Sequence, residues 1–158
     1  GYRIGFVAGD AQIVKIFKLL KTNIDSGTPN IIQEAAIKAL ENDEHVAQMR
    51  KLYLEKAEIL VKGLRAAGLE SALPQATFYV WQKAPKGMSD VEFAKKLLEP
   101  EIGIVVTPGS LISDECDVVG ADGRIKKVNP GAGYVRFALM PSVKEIKEAV
   151  KKLKKFKE

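Results

Sequence analysis

The first forty residues alternate between apolar runs and polar breaks, which predicts one strand followed by two helices. Residues 3–8 are apolar and predict a short strand that is buried on both faces. Asp10 is a good N-cap for a helix over residues 11–23, and Thr28 caps a second helix over 29–40 that has proline at its first position. The apolar positions of the first helix would form its buried side: Ile13, Ile16, Phe17 and Leu20.

A long third helix follows from Asn42–Asp43 and ends at Gly68, which would adopt the left-handed C-cap conformation. Apolar residues recur along it at three- and four-residue steps, as expected for a helix with one buried face. These residues are Val46, Met49, Tyr53, Ala57, Leu60 and Leu64.

Beyond Gly68 the pattern changes to short β-rich runs between helices. Strands are predicted over 77–81, 103–107 and 134–139, and residues 113–133 predict a polar loop or hairpin. Two capping boxes begin further helices: Ser89 with Glu92, and Ser142 with Glu145. From residue 44 onward the order predicts a small sheet with helices packed on one face, an α+β sandwich. Partner strands for residues 3–8 are absent from this order.

Composition places the chain among globular domains. Its 158 residues are 46% apolar and 28% charged, and no apolar stretch approaches the roughly 20 residues that a membrane span needs. Cys116 is the single cysteine and His45 the single histidine, which excludes a disulfide scaffold and a histidine-rich zinc site and favours a cytoplasmic location. The chain opens on Gly1 within an apolar segment, so we expect a fragment whose upstream part is missing.

The positive charge is concentrated at the C-terminus. The net charge is +5, and residues 142–158 contain seven lysines against three glutamates. Such a segment could bind nucleic acid or lipid. However, Val143, Ile146, Val150 and Leu153 recur at helical spacing, and the segment lacks the arginine cluster and interleaved aromatics typical of nucleic-acid sites. We therefore expect an amphipathic helix with a solvated lysine face, and neither nucleic acid nor membrane as a partner.

Two arginines within apolar strands are the candidate binding residues. Arg136 would share a strand face with Tyr134 and Ala138, and Arg3 lies among flanking glycines. A guanidinium in such a position needs an anionic partner, and its planar fork suits a carboxylate or phosphate. An ordinary internal ion pair is the alternative for each. Trp81 could belong to a ligand platform, but we expect it to pack in the core.

Four ordered motifs together resemble the C-terminal part of the class I/II aminotransferases, pyridoxal-phosphate-dependent enzymes of fold type I. They are Gly-x-Arg-x-Gly at residues 1–5, the strand around 74–81, Thr-Pro-Gly at 107–109 and Gly-Tyr-x-Arg at 133–136. Residues 21–27 also resemble the LL-diaminopimelate aminotransferases of lysine biosynthesis. After Gly109 the chain departs from the family, because it runs through a long polar excursion before Gly131.

The resemblance implies an α/β fold of the fold-type I class. Residues 1–41 would be the last part of the large cofactor-binding domain and residues 42–158 the small C-terminal domain. Arg3 would bind the phosphate of pyridoxal 5'-phosphate, and Arg136 would bind the substrate α-carboxylate. The catalytic lysine would lie upstream of Arg3, so this piece alone should be inactive. The parent would be a homodimer that transfers an amino group between an amino acid and a 2-oxo acid.

Two alternatives stay open at this point. One is a free-standing α+β module that binds a polyanion through its basic C-terminal helix, with strongly salt-dependent binding. The other is a different fold-type I enzyme, a synthase or a lyase, in which Arg3 and Arg136 have the same roles. The aminotransferase hypothesis predicts that residues 1–41 expose an apolar surface, which a self-sufficient module would not do.

Overall fold

The computed structural model describes residues 2–120 and 123–157 and contains two compact units, residues 1–48 and 49–158. Gly1 of the Gly-x-Arg-x-Gly motif and residues 121–122 of the predicted excursion lie outside the described residues. The division falls within a helix, a few residues beyond the boundary at 41/42 that the resemblance implies. The assignment of these parts to a large and a small domain stays a prediction.

The first unit contains two helices, α1 (Ala11–Ile24) and α2 (Asn30–Leu40). Asp10 caps α1 as predicted, because its Oδ1 accepts hydrogen bonds from the backbone N–H groups of Gln12 and Ile13 at 2.9 and 3.2 Å. The start predicted for α2 is one residue early. Pro29 has an extended ψ of 141° and is itself the N-cap, without a side-chain cap hydrogen bond.

The strand predicted over residues 3–8 is not formed in the described part of the first unit. The burial predicted for one side of α1 is also wrong, since Ile13, Ile16 and Leu20 are 65%, 68% and 59% exposed. A strand requires a hydrogen-bonding neighbour and an apolar helix face requires a second layer, and the described residues of this unit supply neither. The predicted exposure of apolar surface is confirmed at Tyr2, Phe6, Val7, Ile31 and Leu40.

The second unit is built on a three-stranded antiparallel sheet in the order β1-β5-β2, accompanied by a separate hairpin of β3 and β4. The strands are β1 (Tyr79–Lys83), β2 (Thr107–Pro108), β3 (Cys116–Val119), β4 (Ile125–Val128) and β5 (Tyr134–Ala138). The helices are α3 (Glu44–Ala66), which enters from the first unit, α4 (Asp90–Leu98) and α5 (Val143–Leu153). The predicted polar excursion is thus a hairpin whose residues are exposed on both described strands.

One face of the sheet forms the core, as the α+β prediction requires. Val80, Val135 and Phe137 are 0%, 0% and 4% exposed and share a cluster with apolar residues of the three helices: Leu60, Leu64, Phe93, Leu97, Ile146 and Leu153. Gln82 is buried with them, and its Nε2 donates to the carbonyls of Glu70 and Lys83 at 2.9 Å. The predicted arrangement of helices on one sheet face is confirmed.

All three strands of the sheet differ from their predicted bounds: β5 ends one residue early at Ala138, and β1 ends two residues late at Lys83. β1 begins two residues later than predicted because Thr77 has a φ of +78°, which is incompatible with a strand. The strand predicted over 103–107 shrinks to β2, since Gly103 has a φ of +62° and β5 pairs only with Thr107 and Pro108. Backbone conformation and the available pairing partner, rather than β-propensity, therefore decide where β1 and β2 begin.

The helix ends agree closely with the sequence. Both capping boxes form, at Ser89 with Glu92 and at Ser142 with Glu145. Gly68 has a φ of +84° and follows α3 as predicted, with the Leu69 N–H bonded to the Leu64 carbonyl at 3.0 Å. No helix within residues 2–120 and 123–157 combines the length and the apolarity needed to cross a membrane.

The basic C-terminal helix is amphipathic, as predicted. Ile146 and Leu153 of α5 are 5% and 0% exposed, whereas Val143 and Val150 are half-buried. The lysines at 144, 147, 151 and 152 are exposed. The apolar spacing of this segment is therefore explained by packing against the sheet and α3.

The close packing of α3 against α5 at Gly63 can be tested by substitution. A Cβ at this position would lie 2.5 and 2.6 Å from the two Cγ atoms of Val150. We expect Gly63→Ala to lower the free energy of unfolding by about 1–2 kcal/mol, because overpacking outweighs the better helix propensity of alanine. Denaturant unfolding followed by fluorescence of Trp81, the single tryptophan, measures this change.

The Val150→Ala background is the control for this prediction. Without the Cγ atoms only the contact with the Cβ of residue 150, at 3.0 Å, remains, so Gly63→Ala should lower stability much less than in the wild-type background. An equal loss of stability in both backgrounds would contradict the proposed clash.

Candidate functional site

The face of the sheet opposite the core carries the candidate binding residue Arg136. Because side chains alternate along β5, Tyr134, Arg136 and Ala138 point away from the buried Val135 and Phe137. Arg136 is half-buried, and it shares this outer face with Tyr79 and Trp81 of β1. The face that the alternation predicted for Arg136 is therefore confirmed.

Arg136 contacts an aromatic ring on the neighbouring strand. Its Cζ lies over the ring of Tyr79, 4.4 Å from the ring centroid, and its Cα pairs with Trp81 on one side and Thr107 on the other. Within the described part of the chain it forms no ion pair, so the internal salt bridge weighed as an alternative is not found. A guanidinium stacked on a ring keeps its N–H edge available for a bidentate carboxylate.

Trp81 corrects the sequence-based interpretation of β1. It was expected in the core, but it is 42% exposed and its ring stacks on Tyr134 with centroids 5.8 Å apart and planes 13° from parallel. The inward positions of β1 are Val80 and Gln82, so Trp81 falls on the outer face. The alternation of side chains along residues 79–83 would have placed Trp81 on the outer face once Val80 was assigned to the core.

A buried carboxylate, which the sequence analysis did not single out, joins the two segments that flank Arg136. Asp90, the first residue of α4, is 4% exposed. Its Oδ2 accepts hydrogen bonds from the Ser110 N–H at 2.8 Å and the Ser110 hydroxyl at 2.5 Å, and its Oδ1 accepts a longer one from the Gly133 N–H at 3.4 Å. We call these contacts the Asp90 clamp.

The ionised form of Asp90 is favoured within this clamp. Burial raises the pKa of Asp90, but the hydrogen bonds from Ser110 and Gly133 together outweigh it, so the pKa lies below its ordinary value. A charged Asp90 therefore joins the turn after β2 to the residue that precedes β5. It fixes the strand that carries Arg136 relative to its neighbour β2.

The base of the β3–β4 hairpin is closed next to this clamp. Asn129 Nδ2 donates to the Ser113 carbonyl at 2.8 Å, and the Gly131 N–H donates to Asn129 Oδ1 at 2.9 Å. The backbones of Gly109 and Gly131 approach so closely that a Cβ on either would overlap the carbonyl oxygen of the other. Glycine at the end of Thr-Pro-Gly is therefore required by close approach, which motif spacing alone does not show.

Arg3 lies in the first unit, in an exposed segment without secondary structure, and has a φ of +59°. It forms no ion pair with any carboxylate among the described residues. A Cβ on Gly5 would meet nothing within 4 Å, so its described surroundings do not require glycine there. The phosphate-binding role of Arg3 and the carboxylate-binding role of Arg136 stay predictions.

The other reactive side chains form no site among the described residues. Cys116 and His45 are exposed, and Cys116 Sγ approaches the Val128 carbonyl at 3.4 Å. No group of three or more acidic, histidine or cysteine residues in the described ranges could hold a metal ion.

Comparisons with known proteins agree with the motifs. Residues 1–153 match the family model "Aminotransferase class I and II". An LL-diaminopimelate aminotransferase from Syntrophobacter fumaroxidans is 42% identical over 156 residues, covering 98% of this chain and 36% of that protein. An aminotransferase structure from Neisseria meningitidis is 35% identical with a TM-score of 0.75, covering 99% of this chain and 37% of the other.

A third similar protein is a structure from Thermus thermophilus described as a "probable N-succinyldiaminopimelate aminotransferase". It is 28% identical with a TM-score of 0.69, covering 93% of this chain and 35% of the other. This chain belongs to the class I and II aminotransferase family. It spans little more than a third of the length of the relatives it matches.

Replacing Asp90 tests the clamp. Asp90→Asn should lower the free energy of unfolding by about 2–3 kcal/mol at neutral pH, because a charged acceptor of the Ser110 hydrogen bonds is lost. The folded-state pKa of Asp90 is depressed, so its stabilisation is complete above the unfolded pKa and fades as pH falls below about 4. Denaturant unfolding at several pH values should show the deficit of the variant shrinking in acid.

Asp117→Asn is the matched control, since Asp117 is exposed on β3. It should change stability by no more than about 0.5 kcal/mol. A deficit for Asp90→Asn that stays constant from neutral pH into strong acid would show that the charge of Asp90 does not stabilise the fold.

Proposed function

We propose that the protein works as a pyridoxal-phosphate-dependent aminotransferase, which transfers an amino group between an amino acid and a 2-oxo acid. The main observation in support of this proposal is the environment of Arg136. Arg136 is half-buried on the outer sheet face, its Cζ lies over the Tyr79 ring, and it has no ion-pair partner in the described ranges. It also lies in the Gly-Tyr-x-Arg motif of a chain that belongs to the aminotransferase family.

Arg136 would bind the α-carboxylate of the substrate. Two parallel N–H···O bonds from one guanidinium fix both the position and the plane of a carboxylate. The benefit is orientation, because an anchored carboxylate presents the Cα–H bond in one direction. The Asp90 clamp and the close approach of Gly109 to Gly131 would keep β2 and β5 aligned around this anchor.

Arg3 would hold the cofactor through its phosphate. The donor chemistry fits, since Arg3 is an exposed guanidinium without an ion-pair partner among the described residues and phosphate is a preferred guanidinium ligand. Pyridoxal 5'-phosphate, when bound, supplies the electron sink that lets the substrate lose its Cα proton. We assign the catalytic lysine to no residue of this chain.

A diaminopimelate-type amino acid is the substrate class that the relatives favour. The curated relatives named LL-diaminopimelate aminotransferase are 32–42% identical, and the Thermus structure carries the name of an N-succinyldiaminopimelate aminotransferase. The proposal therefore includes a role in lysine biosynthesis. We further propose that the protein is a homodimer and that it is located in the cytoplasm. An exposed free thiol such as that of Cys116 is typical of that compartment.

The first prediction of this proposal concerns Arg136. In the natural gene product that contains this chain, Arg136→Gln should raise KM for the amino donor by roughly 10- to 100-fold, because a charge-assisted hydrogen-bonded pair of about 1.5–3 kcal/mol is lost. Steady-state kinetics with LL-diaminopimelate, its N-succinyl derivative and aspartate as donors would measure it. Arg50→Gln, on an exposed position of α3, is the matched control and should leave KM unchanged.

The same donor panel separates the alternatives. Turnover of an amino acid without transfer of its amino group to an added 2-oxo acid would indicate a synthase or lyase of the same fold type. A natural gene product that binds no cofactor and instead binds polyanions with strong salt dependence would overturn the aminotransferase proposal.

The second prediction concerns Arg3. Arg3→Ala should weaken cofactor binding by roughly tenfold or more, because a charge-assisted contact to phosphate is removed. Titration of the apoprotein with pyridoxal 5'-phosphate, followed by the absorbance of the bound cofactor, measures the affinity. Pyridoxal without the phosphate should bind wild type and variant equally, and a variant with unaltered cofactor affinity would refute the role of Arg3.

A further inference from the structure

A row of aromatic rings leads from α3 to Arg136. Tyr53 of α3 lies 5.9 Å from the ring of Phe78, Phe78 lies 4.5 Å from the ring of Tyr79, and Tyr79 lies under the guanidinium of Arg136. Tyr79 pairs with Ala138, so it is the diagonal neighbour of Arg136 across the two strands. Side chains at diagonal positions are within reach of each other when both are long.

The far end of this row contacts a buried lysine. Lys56 of α3 is 5% exposed, its Nζ donates to the Leu139 carbonyl at 3.1 Å, and it lies 5.1 Å from the centroid of the Tyr53 ring. The Tyr53 hydroxyl reaches Met140 Sδ at 3.4 Å. Tyr79 is therefore the last of three rings in mutual contact, and its contact with Phe78 restricts the positions that its ring can adopt.

The Cζ of Arg136 lies over the Tyr79 ring at 4.4 Å from its centroid, so Tyr79 contacts one side of the guanidinium. A carboxylate is bound at the edge of the same group, by N–H bonds that lie in its plane. The ring contact and carboxylate binding therefore do not compete. The ring removes rotational freedom from a long side chain that would otherwise have to be ordered when substrate binds.

We propose that Tyr79 is a positioning residue for Arg136, and that its ring holds the guanidinium in the orientation that receives the substrate carboxylate. This inference rests on the proposed function, since it assumes that Arg136 binds that carboxylate. The ring acts on binding alone, because it contacts Arg136 and has no part in proton transfer. The expected consequence is a change in KM at nearly constant kcat.

The test compares three variants of the natural gene product in its cofactor-bound form. Tyr79→Leu should raise KM for the amino donor by about five- to tenfold with kcat within about twofold, in line with the usual strength of a cation–π contact. Tyr79→Phe keeps the ring and should stay within about twofold of wild type. Tyr134→Leu removes a ring from the same face that stacks on Trp81, and should raise KM less than Tyr79→Leu does.

A second readout does not depend on turnover. The inhibition constant of propanoate, a carboxylate without an amino group, should rise in Tyr79→Leu by the same factor as KM and should be unaltered in Tyr79→Phe. If Tyr79→Leu does not fold, Tyr79→Met fills similar volume without a ring and takes its place. The affinity for pyridoxal 5'-phosphate should be the same in all variants.

Arg136→Gln, measured in parallel, separates failure of this inference from failure of the proposed function. If Arg136→Gln raises KM while Tyr79→Leu leaves it unaltered, the positioning role is wrong and the carboxylate site stands. If neither variant changes KM, the proposed function of Arg136 fails as well. An equal loss in Tyr79→Phe and Tyr79→Leu would assign the effect to the hydroxyl and overturn the role of the ring.

Discussion

The alternation of side chains along β5 is the constraint on which the second unit depends. Val135 and Phe137 point into a core shared with α3, α4 and α5, and this burial fixes the register of the strand. Because the register is fixed, Arg136 has to point to the opposite, more open face. A shift by one residue would bury the guanidinium and expose the core, so the fold and the candidate carboxylate anchor are specified by the same burial.

The outer face of the sheet needs support of a different kind, because the helices of the second unit pack on the opposite face. Asp90 supplies part of that support by joining Ser110 and Gly133, and the contact of Gly109 with Gly131 supplies another part. The row of rings that ends at Tyr79 does the same for the guanidinium itself. Polar contacts thus hold the backbone around Arg136, while an aromatic contact orients its side chain.

Most local interactions could be predicted from the sequence and form as expected, although Pro29 rather than Thr28 is the N-cap of α2. Asp10, Ser89 and Ser142 cap their helices, and Gly68 ends α3 in the left-handed conformation. Each involves partners within a few residues, so the sequence alone contains the whole interaction. The alternation that places Arg136 opposite Val135 and Phe137 is local in the same sense, and so are the motifs that indicate the aminotransferase family.

The caps of α1, α4 and α5, the sheet with helices on one face and the two candidate arginines could therefore be predicted from sequence patterns. The fold was needed to set the bounds of β1 and β2 and to form the clamp of Asp90 with residues 20 and 43 positions away. It also decided that the apolar side of α1 stays exposed. The physical reason is common to all of these: burial and pairing depend on which distant segment is adjacent, and no local pattern encodes that neighbour.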